Sequence, residues 1–283
     1  MLVRILAAAV GLPLLLVIVL LLPPIATAIL FSLACAIGAY EMLWRTGILK
    51  HKRIVAYTAV MSIAVVMWSW LRTCNAVSEQ TLWLSALIGL FLFASLLFCE
   101  LLAGHTKLKF TSACVALFSA VVYPFLIGAL VRLRGMDGGE SGKYYILVAF
   151  LISMLADSGA YFVGRAIGKH KLAPVVSPKK TVEGAIGGVI VNIIGMIVYT
   201  LILHKFFGFT QVNYFYAAIY GIVGAFGSML GDLTLSVVKR QVGMKDYGNL
   251  IPGHGGILDR FDSTMICAPI AEILILLIPF AVK

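Results

Sequence analysis

Nine stretches of about 20 mostly apolar residues run along the chain, near 3–22, 25–44, 54–72, 81–102, 111–131, 144–164, 184–203, 213–238 and 264–282. A helix of about 20 apolar residues crosses the hydrocarbon core of a bilayer, so each stretch predicts a spanning helix. Pro23-Pro24 interrupts the first two and predicts a tight hairpin. Arg4, the apolar run behind it and Ala26-Thr27-Ala28 have the outline of a signal peptide. The run is too long for that and another follows at once, so it reads as a first membrane helix. The expected fold class is all-α, a polytopic transmembrane helical bundle of about nine spanning helices. It reads as a single membrane domain over 1–283, with 1–140 an N-terminal scaffold and 141–283 the half that carries chemistry. No internal repeat or low-complexity tract is visible.

Composition agrees. The 283 residues are 61% hydrophobic and 12% charged, against about 25% charged in soluble domains. In water so apolar a chain would expose large adhesive patches. The net charge of +10 would suggest nucleic acid in a soluble protein. In a membrane protein it follows from the collection of Lys and Arg in cytoplasmic loops, and no nucleic-acid partner is expected. With the N-terminus inside, sixteen of the 22 basic residues fall on the inner side, while Arg72, Arg132, Arg134, Lys143, Lys205 and Lys283 fall outside. That bias predicts a cytoplasmic N-terminus. It also places the two long polar loops, 165–182 and 239–262, on the side where nucleotides are available, with a positive face suited to anionic lipids and phosphorylated substrates. The five cysteines are odd in number and lack a C-x-x-C pair, which excludes a disulfide framework and a zinc ribbon. They read as free, buried small hydrophobes. Glu41 and Glu100 read as helix-end residues reaching the interface, and 1–140 as scaffold, lipid contact and assembly.

The acids are concentrated. Of six aspartates, Asp137 lies in an outer loop, while Asp157, Asp232, Asp246, Asp259 and Asp262 fall in or beside the last two inner loops. A carboxylate inside a spanning segment is costly and marks a functional candidate. Asp232, Ser236 and Lys239 are spaced i, i+4 and i+7, on one helix face. Lys239 and Arg240 also suit a helix C-terminus. Next comes Lys245-Asp246, then a glycine-rich run with His254, then Asp259, Arg260 and Asp262. Glycines let backbone N–H groups approach an anion. Asp259 and Asp262 stand one helical turn apart, where like charges repel unless a cation lies between them, and hard oxygen ligands favour Mg²⁺. Upstream, Asp157, Tyr161, Gly164 and Gly168 share one stripe whose glycines allow close helix packing. Lys169 follows, and Ser177, Lys180 and Thr181 precede the next helix, whose N-terminus is a ready anion site.

Together these residues resemble a known family. The run Ser236-x-x-Lys239-Arg240-x4-Lys245-Asp246, followed by Pro252-Gly-His254-Gly-Gly-x-Leu-Asp259-Arg260-x-Asp262, is similar to the signature of phosphatidate cytidylyltransferases, also called CDP-diacylglycerol synthases. The segment from Asp157 through Tyr161 and Lys169 to Ser177-Pro-x-Lys180-Thr181 resembles the same family. The resemblance covers about 157–262. It implies an enzyme that joins CTP and phosphatidic acid into CDP-diacylglycerol and pyrophosphate in a bacterial inner membrane. It also implies Mg²⁺ with K⁺ as a second cation, and a homodimer. By motif position Asp232, Asp259 and Asp262 would be the metal carboxylates. With them Lys239 would be catalytic, and Lys239, Arg240, Lys245 and Arg260 would contact phosphates. Ser177, Lys180, Thr181, Ser236, Asp246 and His254 would bind substrate, with Asp157, Tyr161 and Lys169 in support.

Phosphatidic acid brings an ionised oxygen as nucleophile, so no Ser/His/Asp arrangement is required. Positioning and charge neutralisation would do most of the work. A CTP-dependent lipid-alcohol kinase would need a similar site but would release CDP rather than pyrophosphate. A cation-coupled transporter would spread its acids across the membrane and often shows paired repeats. Here the acids crowd at one end.

Overall fold

Among the described residues of the computed structural model, seven helices are long and apolar enough to cross a membrane: Pro24–Arg45, Lys52–Leu71, Glu79–Ala103, Phe110–Gly139, Gly142–Ile167, Val182–Phe206 and Tyr214–Gln241. The structure describes residues 2–250, 253 and 255–283, with side chains from Ala9 onward. The elements are α1 (Leu2–Leu20), α2 (Pro24–Tyr40) running into a π-helical turn (Glu41–Arg45), α3 (Lys52–Leu71), α4 (Glu79–Ala103), α5 (Phe110–Leu117) and α6 (Tyr123–Gly135). They continue as α7 (Gly142–Ile167), strands β1 (Lys171–Ala173) and β2 (Ser177–Thr181), α8 (Val182–Phe206), β3 (Gln211–Val212), α9 (Tyr214–Gln241), α10 (Leu258–Phe261), α11 (Thr264–Leu277) and β4 (Ala281–Val282). The protein is an all-α integral membrane protein with a few short strands.

The two remaining predicted spans differ from the seven. The described apolar part of α1 is the short stretch Ala9–Leu20. The last stretch, 264–282, does not form one long helix: α11 has 14 residues, about 21 Å at the α-helical rise against a core of about 30 Å. Pro279 explains the early stop, because a proline disfavours helical geometry in the residue before it, and Ile278 has left the helix at φ −141°, ψ 69°.

The chain divides into two compact units, one of Met1–Lys143 with Gln241–Phe261 and one of Tyr144–Arg240 with Asp262–Lys283. In the first unit α3 packs on α2 and α6. Its apolar cluster joins Leu43, Leu49, Ile54, Val55, Phe93, Leu97, Ala116 and Ala120. α4 is the least buried of the seven spans and exposes Trp83, Leu87 and Phe91, as a lipid-facing helix must. Arg132 and Arg134 are not loop residues, as their place between apolar stretches suggests: both are buried in the last turns of α6. Arg134 donates to the carbonyls of Val19 (2.7 Å), Gly139 (2.9 Å) and Leu22 (3.0 Å). A guanidinium is thereby satisfied by carbonyls that a helix end and turn leave without partners. Cys35 and Cys267 are buried as expected, but Cys74, Cys99 and Cys114 lie on exposed faces.

The second unit is held by glycines where α7 meets α8. A Cβ on Gly188 would stand 2.8 Å from the Ala156 carbonyl, and one on Gly184 would stand 2.6 Å from that of Ala160. From the other side, a Cβ on Gly159 would meet Val191 at 2.8 Å. Of the stripe expected to permit close packing, Gly164 takes part, since a Cβ there would stand 3.4 Å from Gly184 Cα, while Gly168 lies beyond the end of α7. β1 and β2 form an antiparallel hairpin where the sequence suggests a loop, and Arg240 Nε fastens it by donating to the Val176 carbonyl at 3.1 Å. Replacing Gly188 with Leu is expected to lower stability by about 1–3 kcal/mol through overpacking. Gly11→Ala, with nothing within 4 Å of the added Cβ, should match or slightly exceed the parent. Thermal denaturation in detergent checks both, and equal midpoints for Gly188→Leu and the parent would refute the packing argument.

Candidate functional site

In the second unit the polar face of α9 forms as its spacing predicts. Ser236 Oγ donates to Asp232 Oδ1 at 3.4 Å, one turn away. Lys239 is buried one turn further on. Asp232 forms an ion pair with Lys180, which β2 delivers just ahead of α8. Lys180 also acts electrostatically on Asp157 of α7. Asp157 is held by two hydroxyls: Ser228 Oγ donates to Oδ1 at 3.3 Å and Ser263 Oγ to Oδ2 at 3.2 Å. Asp262 enters from the turn before α11, its Oδ1 accepting the Ser263 N–H at 2.8 Å. Three carboxylates from α7, α9 and that turn thus interact with one another and with Lys180 and Lys239.

This crowding shows in the titration of Asp262. Burial pushes its carboxyl above the ordinary aspartate range, and the neighbouring charges of Asp232 and Asp157 add to that. The Ser263 N–H and the Lys239 ammonium oppose the shift without cancelling it. A site with more negative charge than its lysines balance is one that a cation would stabilise.

Other predicted site residues stand elsewhere. Thr181 is the N-cap of α8, buried, its Oγ1 accepting the Gly184 N–H at 3.2 Å, so its hydroxyl is engaged by the fold. Tyr161 is exposed and its hydroxyl accepts from Arg165 at 3.2 Å. Lys169 is exposed, and its backbone N–H donates to Glu183 at 3.1 Å. Ser177 opens β2 and is half-buried. In the first unit Lys245, Asp246 and Arg260 are exposed while Asp259 is buried. His254 lies outside the described residues.

The glycine-rich run departs from its sequence reading. Four N–H groups of this run, read as a phosphate cradle, are turned onto the protein's own carboxylates. Asp259 Oδ2 accepts from the N–H of Tyr247 (2.8 Å) and of Gly256 (3.0 Å). Glu41 accepts from Ile257 N–H at 3.1 Å and Leu258 N–H at 3.0 Å. A Cβ on Gly248 would meet Glu41 Oε1 at 2.5 Å, and one on Gly256 would meet both Glu41 oxygens at 2.5 Å. These glycines make room for a carboxylate. Glu41 is therefore not an interfacial helix-end residue but is 3% exposed. The rule that singled out Asp232, a carboxylate at the end of an apolar stretch, applies to Glu41 equally well.

Among the described residues no three His, Cys, Asp or Glu side chains form a ready cage for an ion. Mg²⁺ does not need one, since it keeps several waters and takes one or two carboxylates together with substrate phosphates. Asp232 and Asp262, half-buried oxygen donors in a carboxylate-rich setting, fit that donor set.

Comparison with known proteins decides the family. The model of the cytidylyltransferase family matches residues 2–278. A protein of Staphylococcus saprophyticus named phosphatidate cytidylyltransferase is 36% identical over 252 residues, covering 87% of this chain and 89% of that one. A Staphylococcus epidermidis protein of the same name is 32% identical over the same span and coverage. One from Staphylococcus haemolyticus is 47% identical over 137 residues, 48% of this chain and 51% of its own. The chain belongs to the cytidylyltransferase family.

As a member of the cytidylyltransferase family it is a nucleotidyltransferase, and the matched span takes in both units. In chelator-treated protein the raised Asp262 pKa sets the direction of a pH effect. The fold binds a proton there that the unfolded chain has already lost, so stability falls as pH rises from the ordinary aspartate range through the raised value. Asp262→Asn removes that penalty. Its melting temperature in EDTA should exceed the parent's most at alkaline pH, and the gap should close in acid. A gap that is constant with pH, or largest in acid, would contradict the assignment.

Proposed function

We propose that this chain transfers CMP from CTP to phosphatidic acid, giving CDP-diacylglycerol and pyrophosphate. The observation that carries the reading is the cluster of Asp157, Asp232 and Asp262 with Lys180 and Lys239 in one unit. It lies in a membrane chain whose relatives are named phosphatidate cytidylyltransferases. Clustered acids that a cation would relieve further, bracketed by lysines, suit the meeting of two polyanions. Further support is the bias of Lys and Arg to one side, which favours a cytoplasmic site, and the bacterial source of the relatives, which favours the cytoplasmic membrane.

In this reading a phosphatidate oxygen attacks the α-phosphorus of CTP. The new P–O bond forms as the bond from that phosphorus to the bridging oxygen breaks, and pyrophosphate leaves with the electron pair. No side chain needs to become a nucleophile. Asp232 and Asp262 would hold Mg²⁺, which would neutralise phosphate charge and polarise the phosphorus. Asp259 keeps the motif's part as a third carboxylate on the strength of the sequence. Lys180 and Ser236 fix the orientation of Asp232, and the two hydroxyls on Asp157 do the same for that group. Lys239, Arg240, Lys245 and Arg260 supply positive charge to the phosphates. K⁺ beside Mg²⁺ and assembly as a homodimer belong to the same reading.

Purified protein given CTP labelled at the α-phosphorus, phosphatidic acid and Mg²⁺ should yield a lipid-linked label and pyrophosphate. Release of CDP instead would identify a kinase, and no lipid product beside an active control enzyme would sink the reading. Asp262→Asn should lose about 100-fold or more of the rate, and removal of Mg²⁺ with EDTA should abolish turnover reversibly. Unchanged turnover in Asp262→Asn would remove that residue from the cation site.

A further inference from the structure

One face of α2 is dedicated to the signature segment of its own unit. Phe31 packs edge-on against Phe261, ring centroids 5.8 Å apart at 85°. Seven residues on, Gly38 has no side chain, and a Cβ there would meet Leu258 at 3.3 Å. Three further, Glu41 accepts the N–H groups of Ile257 and Leu258. Positions 31, 38 and 41 share one helix face. Glu41 also opens the π-helical turn Glu41–Arg45, a local irregularity found often at functional sites. The contact spans 216 residues of sequence. On the other side of the segment Asp259 binds Tyr247 N–H and Gly256 N–H. Two buried carboxylates therefore fix the backbone that carries Asp259 and Arg260.

We infer that Glu41 is a positioning residue for the reaction, acting through the 256–261 backbone on Asp259 and Arg260 without touching substrate. The inference rests on the proposed function for its kinetic part alone. The chemistry requires a carboxylate. Two N–H donors converge on Glu41, and an ionised carboxylate is acceptor-only with two oxygens. Glutamine keeps the shape but turns an NH₂ toward one of those N–H groups, leaving a buried donor unsatisfied. Gly248 and Gly256 lie so close to the carboxylate that a Cβ on either would meet a Glu41 oxygen at 2.5 Å. Outer partners that orient working groups cost about 10–100-fold in metal affinity or activity when replaced.

The test is Glu41→Gln, with Glu79→Gln, exposed at the start of α4, as control. Hydrogen–deuterium exchange over 245–261 reads the anchor without any assay of turnover. Exchange at Ile257 and Leu258 should rise at least about tenfold in Glu41→Gln, with the other helices of the detergent-purified protein as protected as in the parent. Unchanged exchange there overturns the inference. Kinetics then read its consequence: kcat should fall about 10–100-fold and the Mg²⁺ concentration for half-maximal rate should rise, while KM for phosphatidic acid changes less than threefold. Faster exchange with parental kcat and Mg²⁺ response would make Glu41 a structural anchor only and overturn the positioning role. If Glu41→Gln is too unstable to purify, Gly256→Ala probes the same anchor, since its Cβ displaces the Glu41 carboxylate; it should show the same local exchange and Mg²⁺ shift, and parental values in both overturn the inference. A parent enzyme without lipid-linked product refutes the proposed function instead, and leaves the exchange result to decide the anchor.

Discussion

The polar clusters of this protein are governed by the cost of keeping a carboxylate at the end of an apolar helix. Water is scarce there, so each charge needs donors or a cation close by. Each of these acids has a different solution. Glu41 and Asp259 are satisfied by backbone N–H groups. Asp157 takes two hydroxyls. Asp232 takes a lysine and a serine. Asp262 has one backbone N–H and is left with its charge resisted by its neighbours. The order matters for function: the acid served least by the fold is where an external cation does most.

The surrounding elements follow from that requirement. Bringing Asp157 of α7, Asp232 of α9 and Lys180 of β2 into one cluster requires the helices to approach closely, and the glycines at 159, 184 and 188 allow it. The hairpin of β1 and β2 holds Lys180 at the right height, with its turn fastened by Arg240 and its end fixed by the Thr181 cap on α8. A side chain at any of those glycines, or loss of the cap, would act on the cluster from a distance.

Much of this was legible in the chain. Apolar stretches located seven spans because length and polarity set what can cross a bilayer. The i, i+4, i+7 spacing located the α9 face because helical periodicity is local. Two kinds of feature were not legible. Where an apolar run carries a late proline, as at Pro279, hydropathy alone runs past the end of the helix. Where a charge meets carbonyls contributed from far along the chain, as Arg134 does with Val19 and Leu22, a one-dimensional reading can only assign it to a loop. Thr181 is a third case. A threonine before a helix serves equally well as cap or as ligand, and only the Gly184 N–H on its oxygen decides which its hydroxyl does here.

The glycine-rich run teaches the sharper lesson. Glycine bares the backbone N–H, and any anion can take it. A bound phosphate and a carboxylate from the same chain make the same demand on local sequence, because both need the absence of Cβ and two or three convergent donors. What separates them is whether an acid elsewhere is stranded without partners. Glu41 is such an acid: it is the sole carboxylate between Met1 and Glu79, placed at the end of an apolar stretch. An isolated intramembrane acid and a distant glycine-rich run are each puzzling alone. Taken as a pair, each supplies what the other lacks, and the segment that carries Asp259 is thereby tied to a helix that hydropathy would have set aside as scaffold.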